Sequence, residues 1–325
     1  MTRSEKKKRY DGMLIFVVLL LVAAGLVILY STSAYNGQVK FHDPFHYLKK
    51  QGFATLLGLF GMALIARVDY HKWVPLAIPA YVTSIILSVA VQRMKRFRTM
   101  ILMMIPVLPI VGLVGASNLS TAIIILGIAV VLIFVADPKY VRFILMGSIG
   151  VGFMTVFLAM ESYRLERLAI WRHPEQYEKG YQTLQGLYAI GSGGLFGRGL
   201  GNSVQKLGFL PEAQNDMIFS IICEELGLIG AGFIILLFLI LIWRFFVIST
   251  KASDLLGALI AAGAMAHMMI QVILNIAVVT NSIPNTGITL PFISYGGTSV
   301  VFLLLEMGLV LSVSNYEGLR YGGSE

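Results

Sequence analysis

Three carboxylates that stand close together in the chain are the residues best placed for acid–base chemistry. Asp216, Glu224 and Glu225 follow a polar, glycine-rich stretch that begins at Arg164, within an otherwise very apolar chain. Asp216 lies where this stretch gives way to an apolar run, so it should sit at the mouth of a membrane span, partly desolvated yet reachable from outside. Desolvation raises the pKa of a carboxyl group toward neutrality, which suits a general base. An N-cap role with Asn215 at the start of the span is the alternative, and it is compatible with catalysis.

The remaining acids and the histidines favour structural interpretations. Glu224 and Glu225 should lie about two helical turns, roughly 12 Å, deeper than Asp216, and Glu306 falls inside the last apolar run. Acids inside a membrane are costly and often functional, but a hydrogen bond between helices is the favoured role for these three. His267 stands among alanine and methionine, and packing or a polar helix contact is favoured over metal ligation. No spacing among the five histidines resembles a zinc site, so the sequence leaves any metal site unknown.

The polar stretch also carries basic residues that could face an anionic ligand: Arg164, Arg167, Arg172, Arg198 and Lys206. Six glycines between Gly191 and Gly201 would let the backbone approach a bulky ligand closely. The segment is not a Walker loop, because the Gly-Lys-Ser/Thr ending is absent. A pyrophosphate on a lipid carrier would suit this face, and a solvated loop that touches anionic headgroups is the alternative. Residues 181–190 have helical spacing, which predicts a helix along the membrane interface.

A second segment, residues 281–299, is rich in proline, glycine and hydroxyl groups. It holds two prolines and three glycines between two apolar runs, which predicts a shaped, non-helical turn. Backbone of this kind near a membrane is tolerated where it is buried in protein or lines a wet cavity. Ser294, Thr298 and the backbone amides near Gly296 and Gly297 could hold an anionic or sugar ligand at the start of the last helix. A tight turn that only packs is an equally favoured alternative.

The chain as a whole is predicted to be an all-α, polytopic membrane helical bundle. Of its 325 residues, 57% are hydrophobic and 13% are charged, whereas about a quarter are charged in soluble domains. A span needs about 20 apolar residues, and candidate spans occur at residues 13–31, 52–68, 73–91, 99–116, 119–136, 142–160, 217–246, 254–279 and 297–315. The expected organisation is a single integral membrane domain over residues 1–325, with about nine spans and one large extracytoplasmic loop over 161–216.

Charge and cysteine content exclude several function classes. The net charge of +8 is spread over short loops and termini, as membrane topology requires, so a nucleic-acid partner is disfavoured. The single cysteine, Cys223, excludes an internal disulfide and a cysteine-built metal site. The first apolar run follows a basic amino end and is too long for a signal-peptide core, so we expect an uncleaved anchor with its amino end in the cytoplasm.

Counting charges along the chain exposes an inconsistency. With a cytoplasmic amino end, alternating spans place the basic segment Arg93–Arg98 outside, although lysine and arginine mark the cytoplasmic side. If that segment is inside instead, every later loop obeys the rule and the large loop is outside. The count therefore fails by one crossing between about 91 and 99. Either the third apolar segment is re-entrant, or a span is missing there.

Together these segments resemble the SEDS family (shape, elongation, division and sporulation), polytopic enzymes that polymerise bacterial peptidoglycan from lipid II. The resemblance covers nearly the whole chain, and its most specific part is Pro284–Thr298. Leu210–Phe219 with Glu224–Gly227 is similar to the end of the family's catalytic loop. Residues 181–201 and 279–287 look like the division branch, FtsW. The sporulation branch, SpoVE, is hardly separable from it, whereas the elongation branch, RodA, usually varies there.

The resemblance implies an inverting peptidoglycan glycosyltransferase of the plasma membrane, working at the division septum. Asp216 matches the family's essential aspartate and would act as general base when a sugar 4-hydroxyl of one lipid II attacks the anomeric carbon of the lipid-linked chain. Substrate contacts are expected from Arg164, Arg172, Arg198, Lys206, Glu212, Ser294, Gly296, Gly297 and Thr298. No motif binds a cofactor, and the family implies loop arginines or a divalent cation at the leaving pyrophosphate. The implied partners are a class B penicillin-binding protein and other divisome proteins, for which small residues in 52–68 and the last two spans would suit helix contacts.

The chain departs from the family pattern at the place where charge counting fails. Relatives usually carry about one further span with its loop after the third span, giving ten spans, and that span brings a lysine toward the catalytic aspartate. Here Val89–Arg96 runs straight on to the next span. Two alternatives stay open. The intramembrane acids Glu224, Glu225 and Glu306 would suit proton coupling in a lipid II transporter. The missing span would suit a non-catalytic scaffold that binds a division transpeptidase.

Overall fold

A computed structural model describes residues 10–77, 109–115, 118–136 and 162–316, together with isolated positions from 107 to 152. These residues form α-helices joined by turns and by 3₁₀ helices at Tyr70–Ala77, Pro174–Gln176 and Glu178–Gly180, and no strand occurs among them. The longer α-helices, numbered along the described chain, are α1 (Gly12–Phe41), α2 (His46–Arg67), α3 (Leu119–Ala136), α4 (Ser162–Arg172), α5 (Tyr181–Gly193), α6 (Ile218–Lys251), α7 (Leu255–Val279) and α8 (Gly297–Tyr316). The prediction of an all-α fold is confirmed.

Several of these helices are long and apolar enough to cross a membrane. They are α1, α6, α7 and residues Gly297–Asn315 of α8, and a shorter apolar helix occupies Thr121–Val135 within α3. The predicted spans over 13–31, 52–68, 119–136, 217–246, 254–279 and 297–315 coincide with helices, so the chain is a multi-pass membrane protein. The predicted spans over 73–91, 99–116 and 142–160, and the discontinuity at 91–99, lie wholly or largely outside the described residues.

Helices α2 and α8 pack closely because glycines face their contact. A Cβ added to Gly58 of α2 would meet the side chain of Leu304, with the two Cβ atoms 3.2 Å apart. A Cβ added to Gly308 of α8 would lie 2.9 Å from the carbonyl oxygen of Met62. Small residues let helix backbones approach each other in this way. The small residues that the sequence offers for a partner's helices are therefore used, at these positions, within the chain itself.

Helix α6 is interrupted at Gly227. This residue has φ 66° and ψ −170°, a conformation that only glycine adopts readily, so residues 218–226 and 228–251 are two helical segments. The second segment is about 36 Å long at 1.5 Å per residue, sufficient to cross a hydrocarbon core of about 30 Å. The first segment is therefore not needed for the crossing, and it carries Glu224 and Glu225.

The glycine-rich loop (residues 194–208) supplies the hydrogen bonds that the break in α6 leaves open. Backbone bonds of 2.9–3.2 Å join loop and helix on both sides of the break: Leu228 N to Gly194 O, Ile229 N to Leu195 O, Arg198 N to Glu224 O and Gly199 N to Glu225 O. A Cβ on Gly197 would overlap the α6 backbone from residue 225 to residue 227. The glycines therefore bring the loop against α6, whereas the sequence analysis expected them to admit a ligand.

The end of the bundle where α7 begins is closed by a polar cluster. Asp254 caps α7 by accepting a hydrogen bond from the Gly257 amide at 2.7 Å. Its other carboxylate oxygen lies 2.8 Å from both the Tyr70 hydroxyl and Nε2 of His71. This cluster ties the segment after α2 to the start of α7. The loops that follow α7 and precede α6 lie at the other end, where the candidate site is found.

Candidate active site at the start of helix α6

Asp216 lies two residues before α6, in a turn that buries its side chain. The N-cap position of α6 is Met217, which makes no side-chain cap bond, so the predicted N-cap role of Asn215 and Asp216 is wrong. Asp216 is only 8% exposed, and its Oδ1 has no hydrogen-bond partner among the described residues. A buried carboxylate oxygen without a donor is costly in a folded protein, which makes it a candidate for chemistry.

The backbone on which Asp216 sits is held by the segment between α7 and α8, here called the signature loop (residues 281–296). The Asn275 side-chain amide, from the last turns of α7, donates to the carbonyl of Asp216 at 2.8 Å and to that of Ile288 at 2.7 Å. The Ser294 hydroxyl donates to the carbonyl of Asn215 at 2.7 Å. The turn before α6 and the signature loop therefore form one hydrogen-bonded unit.

Burial makes the Asp216 carboxylate more basic, which suits a general base. Desolvation raises its pKa from 3.8 to about 6, and the negative charge of Glu212 adds to the rise. Hydrogen bonds from the backbone amides of Asp216 and Met217 act in the opposite direction. At pH 7 the group is therefore mostly ionised and more basic than a solvated aspartate, as proton abstraction requires.

Asp216 opens onto a polar cavity of about 330 Å³. The wall is shared by α4, the 3₁₀ turn after it, α5 and the signature loop, and its residues are Glu166, Arg167, Ile170, Trp171, Lys179, Gln182, Thr183, Asn281, Asn285, Thr286 and Gly287. Two cations, two acids and several amides thus face one space. A cavity of this size and polarity accommodates part of a sugar, with the carboxylate as the candidate base and the cations as candidate partners of phosphate.

Helix α4 is fastened to the signature loop, and this contact forms the cavity's outer wall. The Trp171 indole donates to the carbonyl of Asn281 at 2.9 Å, and the Asn281 amide returns a bond to the carbonyl of Trp171 at 3.3 Å. The Arg167 guanidinium donates to the carbonyl of Asn285 at 3.2 Å, and the Asn285 amide donates to Gln182 Oε1 on α5 at 3.1 Å. Segments more than 100 residues apart in the chain therefore build one site.

Lys206 does not face the cavity, which corrects its predicted role as a substrate-binding cation. It is 6% exposed, and its ammonium donates to Glu225 Oε1 at 2.6 Å and to the Ser31 hydroxyl at 3.0 Å. Ser31 in turn donates to Glu225 Oε2 at 2.6 Å. The ion pair therefore fastens the glycine-rich loop to α6 and α1. The structural hydrogen bond favoured for Glu225 is confirmed.

Glu224 has a similar fastening role. It is 1% exposed and accepts hydrogen bonds from the Ser203 hydroxyl and, at 3.0 Å, from the Val204 amide. The Arg198 guanidinium lies 3.6 Å from Glu224, with 42% of the arginine side chain exposed. Neither Glu224 nor Arg198 lines the Asp216 cavity. Two cations of the glycine-rich loop, Arg198 and Lys206, thus pair with the acids of α6.

Apart from Arg164, of which only the place on α4 is described, the remaining predicted contacts fall around the site and do not line it. Ser294 is 5% exposed and bonded on both sides, since its hydroxyl also accepts from the Leu290 amide at 2.8 Å. The Gly296 amide donates to Gln51 Oε1 at 3.1 Å, so it is engaged and does not await a ligand. Gly297 and Thr298 begin α8, Arg164 lies in the first turn of α4, and the exposed Arg172 and Glu212 stand outside the cavity lining.

Glu306 pairs with His267 inside the bundle. Its carboxylate lies 3.0 Å from Nδ1 of His267, which confirms the polar helix contact expected for the histidine. The pair borders a second cavity, of about 360 Å³, between α3, α7 and α8, whose other walls are mainly the apolar side chains of Ile124, Ile125, Ile128, Phe302 and Leu303. Among the described residues, no group of three or more acidic, histidine or cysteine side chains is placed to hold a metal ion.

Several residues that build the site were not singled out by the sequence analysis. They are Lys179, Asn275, Asn281 and Asn285, while Arg167 was grouped with the other cations and given no separate role. One signal was available for Asn275, because His267, Gln271 and Asn275 follow each other at intervals of four residues in an apolar run. Such spacing puts three polar side chains on one helix face. No comparable signal marks Lys179, which reaches the site through the path of the loop.

Comparison with known proteins shows the family of the chain. The FtsW/RodA/SpoVE family model, described as "Cell cycle protein", matches residues 11–96 and 88–318. Stage V sporulation protein E of Bacillus subtilis (strain 168) is 35% identical, covering 96% of this chain and 98% of that protein. A probable peptidoglycan glycosyltransferase FtsW of Geobacter sp. (strain M18) is 30% identical, covering 94% of this chain and 96% of that protein.

Solved structures show the same fold. A chain from a peptidoglycan synthase complex, studied for the structural coordination of polymerization and crosslinking, superposes with a TM-score of 0.75 at 24% identity, covering 95% of this chain and 98% of that chain. The rod shape determining protein RodA of Thermus thermophilus superposes with a TM-score of 0.63 at 24% identity, covering 94% of this chain and 96% of that chain.

The comparisons also bear on the predicted discontinuity. The alignment with the Bacillus subtilis relative extends over 361 positions, whereas this chain has 325 residues, so at least 36 positions of the alignment are empty here. The two matched segments of the family model meet at residues 88–96, where charge counting fails by one crossing. The chain belongs to the FtsW/RodA/SpoVE family of cell cycle proteins, whose model matches it in two segments over residues 11–318, and it has a RodA-like multi-pass membrane fold.

Proposed function

We propose that the chain is a peptidoglycan glycosyltransferase that polymerises lipid II, with Asp216 as the general base. The observation that carries the proposal is the buried Asp216 carboxylate, which lacks a partner for Oδ1 among the described residues and borders a polar cavity. The names of the FtsW relatives and of the synthase complex support the choice of reaction.

The proposed reaction needs one base and a good leaving group. Asp216 accepts the proton of a sugar 4-hydroxyl on one lipid II as that oxygen bonds to the anomeric carbon of the lipid-linked chain. The bond from the anomeric carbon to the pyrophosphate oxygen breaks, undecaprenyl pyrophosphate leaves with the electron pair, and the anomeric centre inverts. Pyrophosphate leaves without a second acid, in contrast with the leaving groups that glycosidases must protonate.

The charge that develops on the leaving group is assigned to the cations that line the cavity. Arg167 on α4 and Lys179 on the following turn share the space with Asp216, and they replace the predicted Arg198 and Lys206 in this role. Arginine is suited to bidentate contacts with phosphate oxygens. A divalent cation that arrives with the substrate would be held mainly by the substrate's own phosphate oxygens, as is usual for Mg²⁺.

The proposal is tested by Asp216→Asn in purified protein supplied with labelled lipid II. We expect glycan strands to form about 10²–10⁴ times more slowly than with the parental protein, because a general base typically contributes that factor to the rate. Asp43→Asn is the matched control, since Asp43 lies on the turn between α1 and α2 and pairs with the exposed Lys49 at 2.7 Å. Parental polymerisation by Asp216→Asn would show that another group is the base.

Two other functions remain candidates on specific observations. The Glu306–His267 pair beside an internal cavity favours a lipid II transporter, and labelled lipid II crossing the wall of protein-containing liposomes would support it. The alignment positions that are empty in this chain favour a non-catalytic scaffold, and binding to a class B penicillin-binding protein without polymer formation would support that.

Partner and location complete the proposal. The structural relative that comes from a synthase complex supports a transpeptidase partner that crosslinks the new strands, together with other divisome proteins. We further propose a cytoplasmic amino end and action at the division septum. Tagging the amino end and testing its protease accessibility in intact cells checks the first of these. Fluorescence microscopy of dividing cells checks the second.

A further inference from the structure

Asn275 occupies a position that joins the two halves of the candidate site. It lies on α7 and is completely buried. Its side-chain amide nitrogen donates to the carbonyl of Asp216 at 2.8 Å and to the carbonyl of Ile288 at 2.7 Å. These carbonyls belong to segments that are about 70 residues apart in the chain, the turn before α6 and the signature loop. This side chain, together with the Ser294 hydroxyl that donates to the carbonyl of Asn215, therefore holds the two segments at a fixed distance.

The direction in which the Asp216 carboxylate points depends on the hydrogen bond from Asn275 to the carbonyl of Asp216. Asp216 makes no side-chain cap of α6, and its Oδ1 has no hydrogen-bond partner among the described residues. Neighbouring side chains thus hold this oxygen only through packing. The position and rotation of the main chain at residue 216 decide whether the carboxylate points into the cavity. A shift of about 1 Å in a catalytic group is enough to cost on the order of 10²-fold in rate.

Asn275 itself is outside the reacting space. It does not line the cavity, and both of its donated bonds end on backbone carbonyls. We propose that Asn275 is a positioning residue for the reaction, which holds the carbonyl of Asp216 against the signature loop so that the carboxylate faces the cavity. This inference rests on the proposed function for its kinetic consequences, but the geometry it asserts can be tested without catalysis.

Gln271 offers a matched control one helical turn away on the same face of α7. Its side-chain amide donates to the carbonyl of Thr289 at 3.1 Å, the residue next to Ile288. Both amides therefore clamp consecutive carbonyls of the signature loop to α7, but only Asn275 also reaches the turn that carries Asp216. Gln271→Met removes a clamp of the signature loop and leaves the Asp216 bond in place. A comparison of the two variants separates loop anchoring from positioning of the base.

The kinetic experiment compares Asn275→Leu with Gln271→Met in purified protein, across pH 5–9, with labelled lipid II as substrate. We expect Asn275→Leu to lower kcat by about 10–100-fold and to change KM less than about threefold. The residues that line the cavity stay in place, whereas the Asp216 carboxylate no longer points into it. The acidic limb of its pH–rate profile should also move, since the carboxylate then has different surroundings. Gln271→Met should keep the parental profile and most of kcat.

A second measurement does not depend on activity. In a Cys223→Ala background, Asp216→Cys places a thiol at the base position, and its rate of modification by a small charged thiol reagent reports whether the side chain faces the cavity. We expect the rate to change at least fivefold when Asn275→Leu is added, and less than twofold when Gln271→Met is added. If Asn275→Leu does not yield folded protein, Asn275→Ser, which keeps one donor on a shorter side chain, is used with the same criteria.

The outcomes separate this inference from the proposed function. Equal effects of the two α7 variants on modification rate, or no effect of Asn275→Leu on kcat and modification rate, would overturn the positioning role. Full activity of Asp216→Asn would overturn the assignment of the base, while an altered modification rate in the Asn275 variant would still support control of residue 216 by α7.

Discussion

At the scale of single residues, the site rests on a carboxylate kept in a surrounding that is unfavourable for its charge. Burial raises the pKa of Asp216 to about 6, so the folded protein holds this proton more tightly than the unfolded chain does. Stability is therefore lost as pH rises from about 4 to about 6, and the full penalty applies above pH 6. In the proposed function, the ionised form that acts as the base is therefore the form that destabilises the fold.

This linkage predicts that Asp216→Asn is more stable than the parent at pH 7.5. The gain has an upper bound on the order of 3 kcal/mol, because one pKa unit corresponds to about 1.4 kcal/mol. Thermal unfolding in detergent should show a higher Tm for the variant at pH 7.5 and nearly equal values at pH 4. A variant less stable than the parent at pH 7.5 would contradict this account. The parental polymerisation rate should rise with pH through about 6.

The buried pair of Lys206 and Glu225 leads to a second prediction at this scale. Removing one partner leaves an uncompensated charge in a buried site, which typically costs about 3–5 kcal/mol. We expect Lys206→Met and Glu225→Gln each to lower the free energy of unfolding by this amount, and the double variant to lose less than the sum of the two. Arg198→Ala is the control, with a loss below about 1 kcal/mol, since its side chain is 42% exposed and 3.6 Å from Glu224. Additive losses would rule out direct coupling.

At the scale of elements, the break in α6 decides where the catalytic segment lies. The amides freed by the break are satisfied by the glycine-rich loop, as irregular backbone beside a membrane requires. The loop, the break and the turn with Asp216 thus depend on one another. A substitution at the break should act on all three, although Gly227 does not line the cavity.

Gly227→Ala should be strongly destabilising, by about 2–4 kcal/mol, because φ at this position is 66° and a Cβ would overlap the backbone of residues 195 and 197. Gly232→Ala, one turn further along the same helix, is the control. No atom lies within 4 Å of a Cβ there, so we expect an effect between zero and a gain of about 1 kcal/mol. Chemical denaturation of both variants in the same detergent provides the comparison, and similar losses would contradict a special role for the break.

At the scale of the whole molecule, sequence reasoning located membrane helices well and contacts between distant segments poorly. Hydropathy gave α1 as residues 13–31, but the helix continues to Phe41, because hydropathy detects the lipid-facing stretch while a helix can extend beyond it. Helical spacing over residues 181–190 correctly predicted α5, Tyr181–Gly193. Local periodicity predicts helices well because it is a property of one segment and does not depend on contacts with distant segments.

The site was less accessible to the same reasoning. Asp216 stood out because a polar stretch meets an apolar run there, which is a local pattern. The fate of Lys206 depends on Ser31 and Glu225, which lie 175 and 19 residues away. Spacing cannot show such partners, so a buried ion pair looked like a surface cation. Arg167 could not be distinguished from Arg164 or Arg172, because only the fold shows which turn of α4 faces the signature loop.

The reciprocal bonds between Trp171 and Asn281 have a mechanical consequence. Each residue gives its side chain to the other's carbonyl, so α4 and the signature loop part only when both of these bonds and the bond from Arg167 to the carbonyl of Asn285 are broken. In the proposed function, a growing polysaccharide is far larger than a space of about 330 Å³ and has to leave through the rim. A strand that leaves on the α4 side of the rim would therefore have to break all three bonds, whereas a strand that leaves elsewhere would not.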